Sequence, residues 1–190
     1  MRLFVALEIP AAVRDNLAAQ IKELRDLPAP ADKRLRWVRP ENLHVTLKFI
    51  GEVEAAKLDG IRSALAAIGL DAPIGLDFRR LGFFPDEKYP RVLWAGLNAT
   101  GNLPVLAREV DRALEGQGIA RDERPFTPHL TLARFEPRGL HEKMRAAIQK
   151  NSERKFGAFE AREFHLIQSK LKPSGAEYTF LAAFPLTLEA

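Results

Sequence analysis

Leu43-His44-Val45-Thr46-Leu47-Lys48-Phe49-Ile50 is echoed 85 residues later by Pro128-His129-Leu130-Thr131-Leu132-Ala133-Arg134. The shared core is His-x-Thr-Leu. With six Thr in 190 residues, chance supplies about 0.1 His-x-Thr match among four histidines, so two matches point to a diverged internal duplication. The period is too long for a solenoid. Apolar residues alternate with the His and Thr in both copies, which is the pattern of a half-buried strand. Residues two apart on a strand point the same way. His44 and Thr46 therefore share one face while Leu43, Val45, Leu47 and Phe49 line the other, and His129 and Thr131 repeat this against Leu130 and Leu132. Each strand is half core and half candidate site. Two halves related by an approximate twofold axis would bring both strands to one cleft.

Outward from these strands, residues 2–9 read as a strand, and Pro10 opens a helix on which Val13, Leu17, Ile21 and Leu24 recur at helical spacing. Leu27-Pro28-Ala29-Pro30-Ala31 breaks the chain. Two strands, 35–38 and 43–50, flank an Arg39-Pro40-Glu41-Asn42 turn. A helix is expected over 55–68, then strands at 74–81 and 91–98, a helix at 103–114, a strand at 128–135 and a helix at 140–150. The chain ends with strands at 158–171 and 178–186, joined by Pro173-Ser174-Gly175. Neighbouring strands joined by short turns imply antiparallel pairing, so the class is α+β and not a doubly wound sheet. No linker or low-complexity stretch divides the chain, and residues 1–190 are expected to form one domain of two pseudo-symmetric lobes.

Composition narrows the chemistry. An apolar share of 46% with 28% charged residues describes a chain able to bury a core, which removes disorder and rod-like folds. The absence of Cys removes disulfide scaffolds, thiolate nucleophiles and Cys-ligated metals. Nor does the spacing of His and carboxylates suggest a metal site, and no metal or cofactor is expected. A formal charge of +4 favours an anionic partner. No apolar run approaches the roughly 18 to 20 residues a membrane helix needs, and the opening segment is cut short by Glu8 and Pro10. A cytoplasmic monomer is expected.

Paired imidazoles and hydroxyls have a specific use. With an ordinary pKa near 6.5, two His can serve as base and acid at neutral pH, each contributing about 10²–10⁴-fold. Phosphodiester cleavage uses both: one takes the proton of the attacking oxygen while the other protonates the departing one, on opposite sides of phosphorus. The Thr46 and Thr131 hydroxyls suit the non-bridging oxygens.

The chain resembles the two-histidine (2H) phosphoesterase superfamily and, within it, the RNA 2′,3′-cyclic phosphodiesterases also called 2′-5′ RNA ligases. The resemblance runs through residues 1–7, 37–51, Arg91-Val92-Leu93-Trp94-Ala95-Gly96, 128–134 and 169–186. It implies a duplicated fold whose two antiparallel sheets flank a central cleft with helices outside. The implied activity is hydrolysis of RNA 2′,3′-cyclic phosphate ends to a 2′-phosphate, with reversible ATP-independent 2′-5′ ligation in some members. By position, His44 resembles the proton donor and His129 the proton acceptor, while Thr46, Thr131 and Arg134 resemble phosphate-binding residues. Strict alternation places Arg134 on the face opposite His129, so it reaches phosphate only if a bulge or the strand end re-aims it.

Lys33, Arg34, Arg36 and Arg39 around Trp37 combine charge with an aromatic face, and Arg36, Trp37 and Arg39 are candidate RNA contacts. Trp94 is expected in the core, and Phe83-Phe84 suits either a nucleotide cover or a loop anchor. His141 and His165, each without a Thr two places on, read as structural. Two other functions fit the same residues: a phosphodiesterase for a small cyclic nucleotide or ADP-ribose cyclic phosphate, and a non-catalytic RNA-end binding module.

Overall fold

In the computed structural model, the described residues are 1–27, 35–70, 72–99, 102–135, 142–173 and 175–187. Lys33, Arg34 and His141, the breaker from Pro28 to Ala31, and Ser174 lie outside them. The run Leu3-Phe4-Val5-Ala6-Leu7 forms the middle of β1 (Arg2–Glu8), a strand buried on both faces. Leu3, Val5 and Leu7 enter the main core, whereas Phe4 and Ala6 form a small second cluster with Ile167. Two-sided burial explains why this strand is continuously apolar while those bearing His alternate.

After β1 come α1 (Ala11–Arg25), β2 (Leu35–Trp37), a 3-10 turn (Pro40–Asn42), β3 (His44–Glu52) and α2 (Leu58–Ala66). The remainder comprises β4 (Ile74–Phe84), β5 (Val92–Ala99), α3 (Leu103–Glu115), β6 (His129–Phe135), α4 (Glu142–Lys150), β7 (Lys155–Ala161), β8 (Glu163–Lys172) and β9 (Gly175–Pro185). The strands form two sheets, β3-β1-β8-β9 and β2-β6-β5-β4-β7, in which every pairing is antiparallel.

Helices cover the outer sides, and the two halves exchange one each. α1 follows β1 of the first sheet but packs on β7 of the second, and α3 follows β5 of the second sheet but packs on β3 of the first. α2 and α4 pack against β9 and β4. Val13, Leu17, Ile21 and Leu24 of α1 are all buried, each such side chain stabilising by about 1.5–3 kcal/mol.

Three local expectations change. β2 and β3 do not pair across their turn: β2 lies beside β6, β3 beside β1, and the turn carries the chain from one sheet to the other. The strand expected over 158–171 is two strands, β7 and β8, separated at Arg162 and placed in different sheets. No Gly, Pro or Asn marks that break, so composition gives no sign of it. The expected 55–68 helix opens with a 3-10 turn (Ala55–Lys57) before α2 begins.

Candidate active site

The motif strands β3 and β6 come from different sheets and touch each other where those sheets meet. Their pairings match. Thr46 and His44 lie opposite Ala6 and Glu8 of β1, while Thr131 and His129 lie opposite Trp94 and Gly96 of β5. Both ladders also slip at the same motif position. Val5 pairs with Lys48 and Ala6 with Thr46, and Leu93 pairs with Ala133 and Trp94 with Thr131, so Leu47 and Leu132 are the extra residues of two equivalent bulges. A bulge restarts the alternation one residue out of phase. Leu47 and Lys48 are consequently both buried, as are Leu132 and Ala133, and the residues that follow, Phe49 and Arg134, turn out of the core.

This re-aiming resolves the geometry of Arg134. It lines a cleft of about 580 Å³ together with His44, Thr46 and Thr131. Phe49, expected on the core face with Leu43, Val45 and Leu47, is instead turned by the Leu47 bulge into the same cleft and is 56% exposed, five residues after His44 as Arg134 is five after His129. His129 is not among the residues bounding that volume; it stands two residues from Thr131 on the same strand, its ring edge-on to Phe84 at 5.0 Å between centroids.

Both imidazoles are held alike. His44 Nδ1 lies 2.7 Å from the carbonyl of Asn42, and His129 Nδ1 lies 2.8 Å from the carbonyl of Thr127. A carbonyl only accepts, so each Nδ1 carries the hydrogen and each Nε2 is left for chemistry. Asn42 is fixed in turn, its Nδ2 donating to the Ala176 carbonyl at 2.8 Å. The His44 ring packs against Phe4 at 4.8 Å and Tyr178 at 5.4 Å. Burial among these rings lowers the His44 pKa below its ordinary value of 6.5. The bond to Asn42 opposes that shift, and the positive charges of Arg134 and His129 reinforce it.

The RNA-contact candidates separate. Arg36 pairs directly with Arg134 across β2 and β6, placing both on one face, whereas Trp37 pairs with Ala133 and packs against the main core. Arg39 lines a neighbouring cavity of about 290 Å³ beside His44 and Tyr178. His165 is buried, 3.2 Å from Glu163. Phe83 is buried against Phe135, and Phe84 contacts His129.

Trp94 differs from expectation. Its partner is Thr131, so it lies on the site face of β5 rather than in the core. Gly82 and Gly96 make room for the ring: a Cβ on Gly82 would lie 2.2 Å from Trp94 Cζ2, and one on Gly96 3.1 Å from Trp94 Cζ3. Gly82→Ala is therefore expected to cost about 1–3 kcal/mol in urea unfolding and to shift the Trp fluorescence. An unshifted spectrum would contradict the close approach.

Composition did not reveal Phe4, Asn42, Phe49 and Tyr178. A signal for Phe49 was present: superposing the two motif copies sets it against Arg134.

The LigT like phosphoesterase family model matches residues 7–94 and 97–178, so that each segment contains one His-x-Thr motif. The chain is 36% identical over 184 residues to an RNA 2′,3′-cyclic phosphodiesterase of Archaeoglobus fulgidus, covering 97% of this chain and 99% of that protein. It resembles the crystal structure of TT0787 of Thermus thermophilus, with a TM-score of 0.81, 30% identity and full coverage of both chains. It also resembles E. coli LigT complexed with 3′-AMP, with a TM-score of 0.76, 28% identity and 98% coverage of each chain.

Proposed function

This chain belongs to the LigT like phosphoesterase family, and from that premise we propose that it hydrolyses the 2′,3′-cyclic phosphate at RNA ends through His44 and His129. What carries the reading is the matched presentation of two Nε2 atoms by backbone carbonyls two residues upstream, next to a cleft lined by two Thr and two Arg, with no carboxylate among its described lining residues.

The steps follow from these positions. His129 Nε2 takes a proton from water as the water oxygen attacks phosphorus, and His44 Nε2 gives a proton to O3′ as the P–O3′ bond breaks. Atoms balance: the cyclic diester and one water become a 2′-phosphate and a free 3′-hydroxyl. Thr46, Thr131 and Arg134 hold the non-bridging oxygens through the transition state. Phe49 offers an open aromatic face to the terminal base. With a 5′-hydroxyl in place of water as the nucleophile, the same displacement of O3′ would join a 2′-5′ linkage. An RNA substrate implies a cytoplasmic setting, and a single chain holds every group invoked. No helix among the described residues is long and apolar enough to cross a membrane.

The decisive experiment gives the purified protein, in EDTA, an oligoribonucleotide ending in a 2′,3′-cyclic phosphate and identifies the product by phosphorus NMR. A 2′-phosphate is expected. A 3′-phosphate would reverse the choice of leaving oxygen, and no opening in a single turnover would favour an RNA-end binding module.

The lowered His44 pKa makes a further prediction. A proton donor works only while protonated, so activity falls as pH rises through its pKa. In kcat/KM, which reports the free enzyme, that alkaline limb should lie at lower pH than in kcat, where the bound anion restores the proton. Coincident alkaline limbs would argue against His44 as the donor.

A further inference from the structure

Two guanidiniums, from different sheets, face the same cleft. Arg134 comes from β6, and Arg2 comes from the first position of β1. Among the described residues neither forms an ion pair or a side-chain hydrogen bond. Nine other described arginines behave differently: Arg39, Arg62, Arg79, Arg80, Arg112, Arg121, Arg145, Arg154 and Arg162 are each paired with a carboxylate. Two cations without an ion pair among the described residues, converging on a cavity whose described lining holds no carboxylate, mark a place for negative charge.

A single cyclic phosphate does not account for both. It carries one charge, and His44, Thr46, Thr131 and Arg134 are already grouped around one phosphate position. Arg2 belongs to another row of the sheet, opposite Ser169, which in turn pairs with Tyr178. The row of Thr46 passes through Ala6, four residues further along β1, a separation of about 13 Å. An outstretched arginine covers only part of that distance, which puts its head beyond the first phosphate and still inside the cleft. Tyr178 stands between, within electrostatic reach of both guanidiniums, and Ser169 lines the cleft beside Arg2.

We propose that Arg2, with the Ser169 hydroxyl, holds the phosphodiester that joins the terminal nucleotide to its 5′ neighbour, so that the cleft takes the end of an oligoribonucleotide in preference to a free nucleoside cyclic phosphate. This rests on the phosphodiesterase reading above and adds to it a second anion subsite, one ribose away from the first.

The test compares a nucleoside 2′,3′-cyclic monophosphate with a dinucleotide bearing the same cyclic end, for the wild-type protein and for Arg2→Gln. The wild type should favour the dinucleotide in kcat/KM by about tenfold, the value of one charge-assisted hydrogen bond. In Arg2→Gln that preference should collapse toward unity, with the loss carried by KM. The slope of log kcat/KM against log salt for the dinucleotide should fall by about 0.7. Arg2→Lys should keep part of the preference. A preference that survives Arg2→Gln, or an equal loss on both substrates, would overturn the subsite while leaving the phosphodiesterase reading in place. A wild type that opens neither substrate would overturn both.

Discussion

His129→Ala is expected to lower kcat for a cyclic-phosphate oligomer by about 10²–10⁴-fold, and His44→Ala to do the same, with EDTA present throughout. In the proposed mechanism both imidazoles act in one displacement, so removing the second after the first should cost little more, and the double variant should sit near the slower single variant. Neither loss should come from unfolding. The rings occupy half-buried positions at the mouths of their strands, and the main core beneath them is built by other side chains. Circular dichroism and melting curves close to wild type would confirm that point. Undiminished hydrolysis by either single variant would sink the paired acid–base mechanism.

The second large effect concerns stability. Lys48, the residue after the first bulge, is 2% exposed, an unusual burial for an ammonium. Its Nζ donates to Asp111 of α3 at 2.5 Å and to the Ala120 carbonyl at 2.7 Å, and lies 3.2 Å from the Asp122 carboxylate as an ion pair. Asp111 also accepts from the Asp122 backbone N–H. Asp111→Ala strands the cation with only the more exposed Asp122 as a charged partner, and should cost about 3 kcal/mol. That is a large fraction of the roughly 5–15 kcal/mol that holds a domain together. In a chain of this length it lowers Tm by about 6 to 12 °C. Lys48→Met removes the charge along with its burial cost and leaves Asp111, 20% exposed, able to hydrate. It should be the milder change. Urea unfolding of both variants checks the order, and a Lys48→Met variant less stable than Asp111→Ala would contradict it.

The same position shows what the sequence could and could not disclose. Lys48 occupies an alternating strand, where its charge reads as solvent-facing. Only the bulge at Leu47 turns it inward, and its carboxylate partners come from α3 and the segment after it, in the other half of the chain. In the second copy the equivalent residue is Ala133, which joins the core without any partner charge. His44, Thr46, His129 and Thr131 are legible because a strand period of two and a repeated tetrapeptide are local facts. The placement of Arg134 is not, since it depends on a ladder slip relative to β5 that no single-strand pattern encodes. Trp94 reads as core because a large aromatic on an apolar strand ordinarily is. Its actual place on the site face depends on Gly82, a residue of the neighbouring strand β4. The split between β7 and β8 is equally silent, for Arg162 alone separates two runs that join different sheets.

The exchange of α1 and α3 bears on how the two walls of the cleft stay aligned. Each sheet is roofed in part by a helix delivered from the other half, and β8 and β9 complete a sheet that β1 and β3 begin. The lobes are thus interlocked in the manner of clasped hands. Neither can melt without unroofing its neighbour, and a cut between the halves would leave two fragments that each need the other to close a core. For the proposed displacement, with its acid and its base on opposite sides of one phosphorus atom, this shared construction would hold two histidines from separate walls in register without a covalent brace.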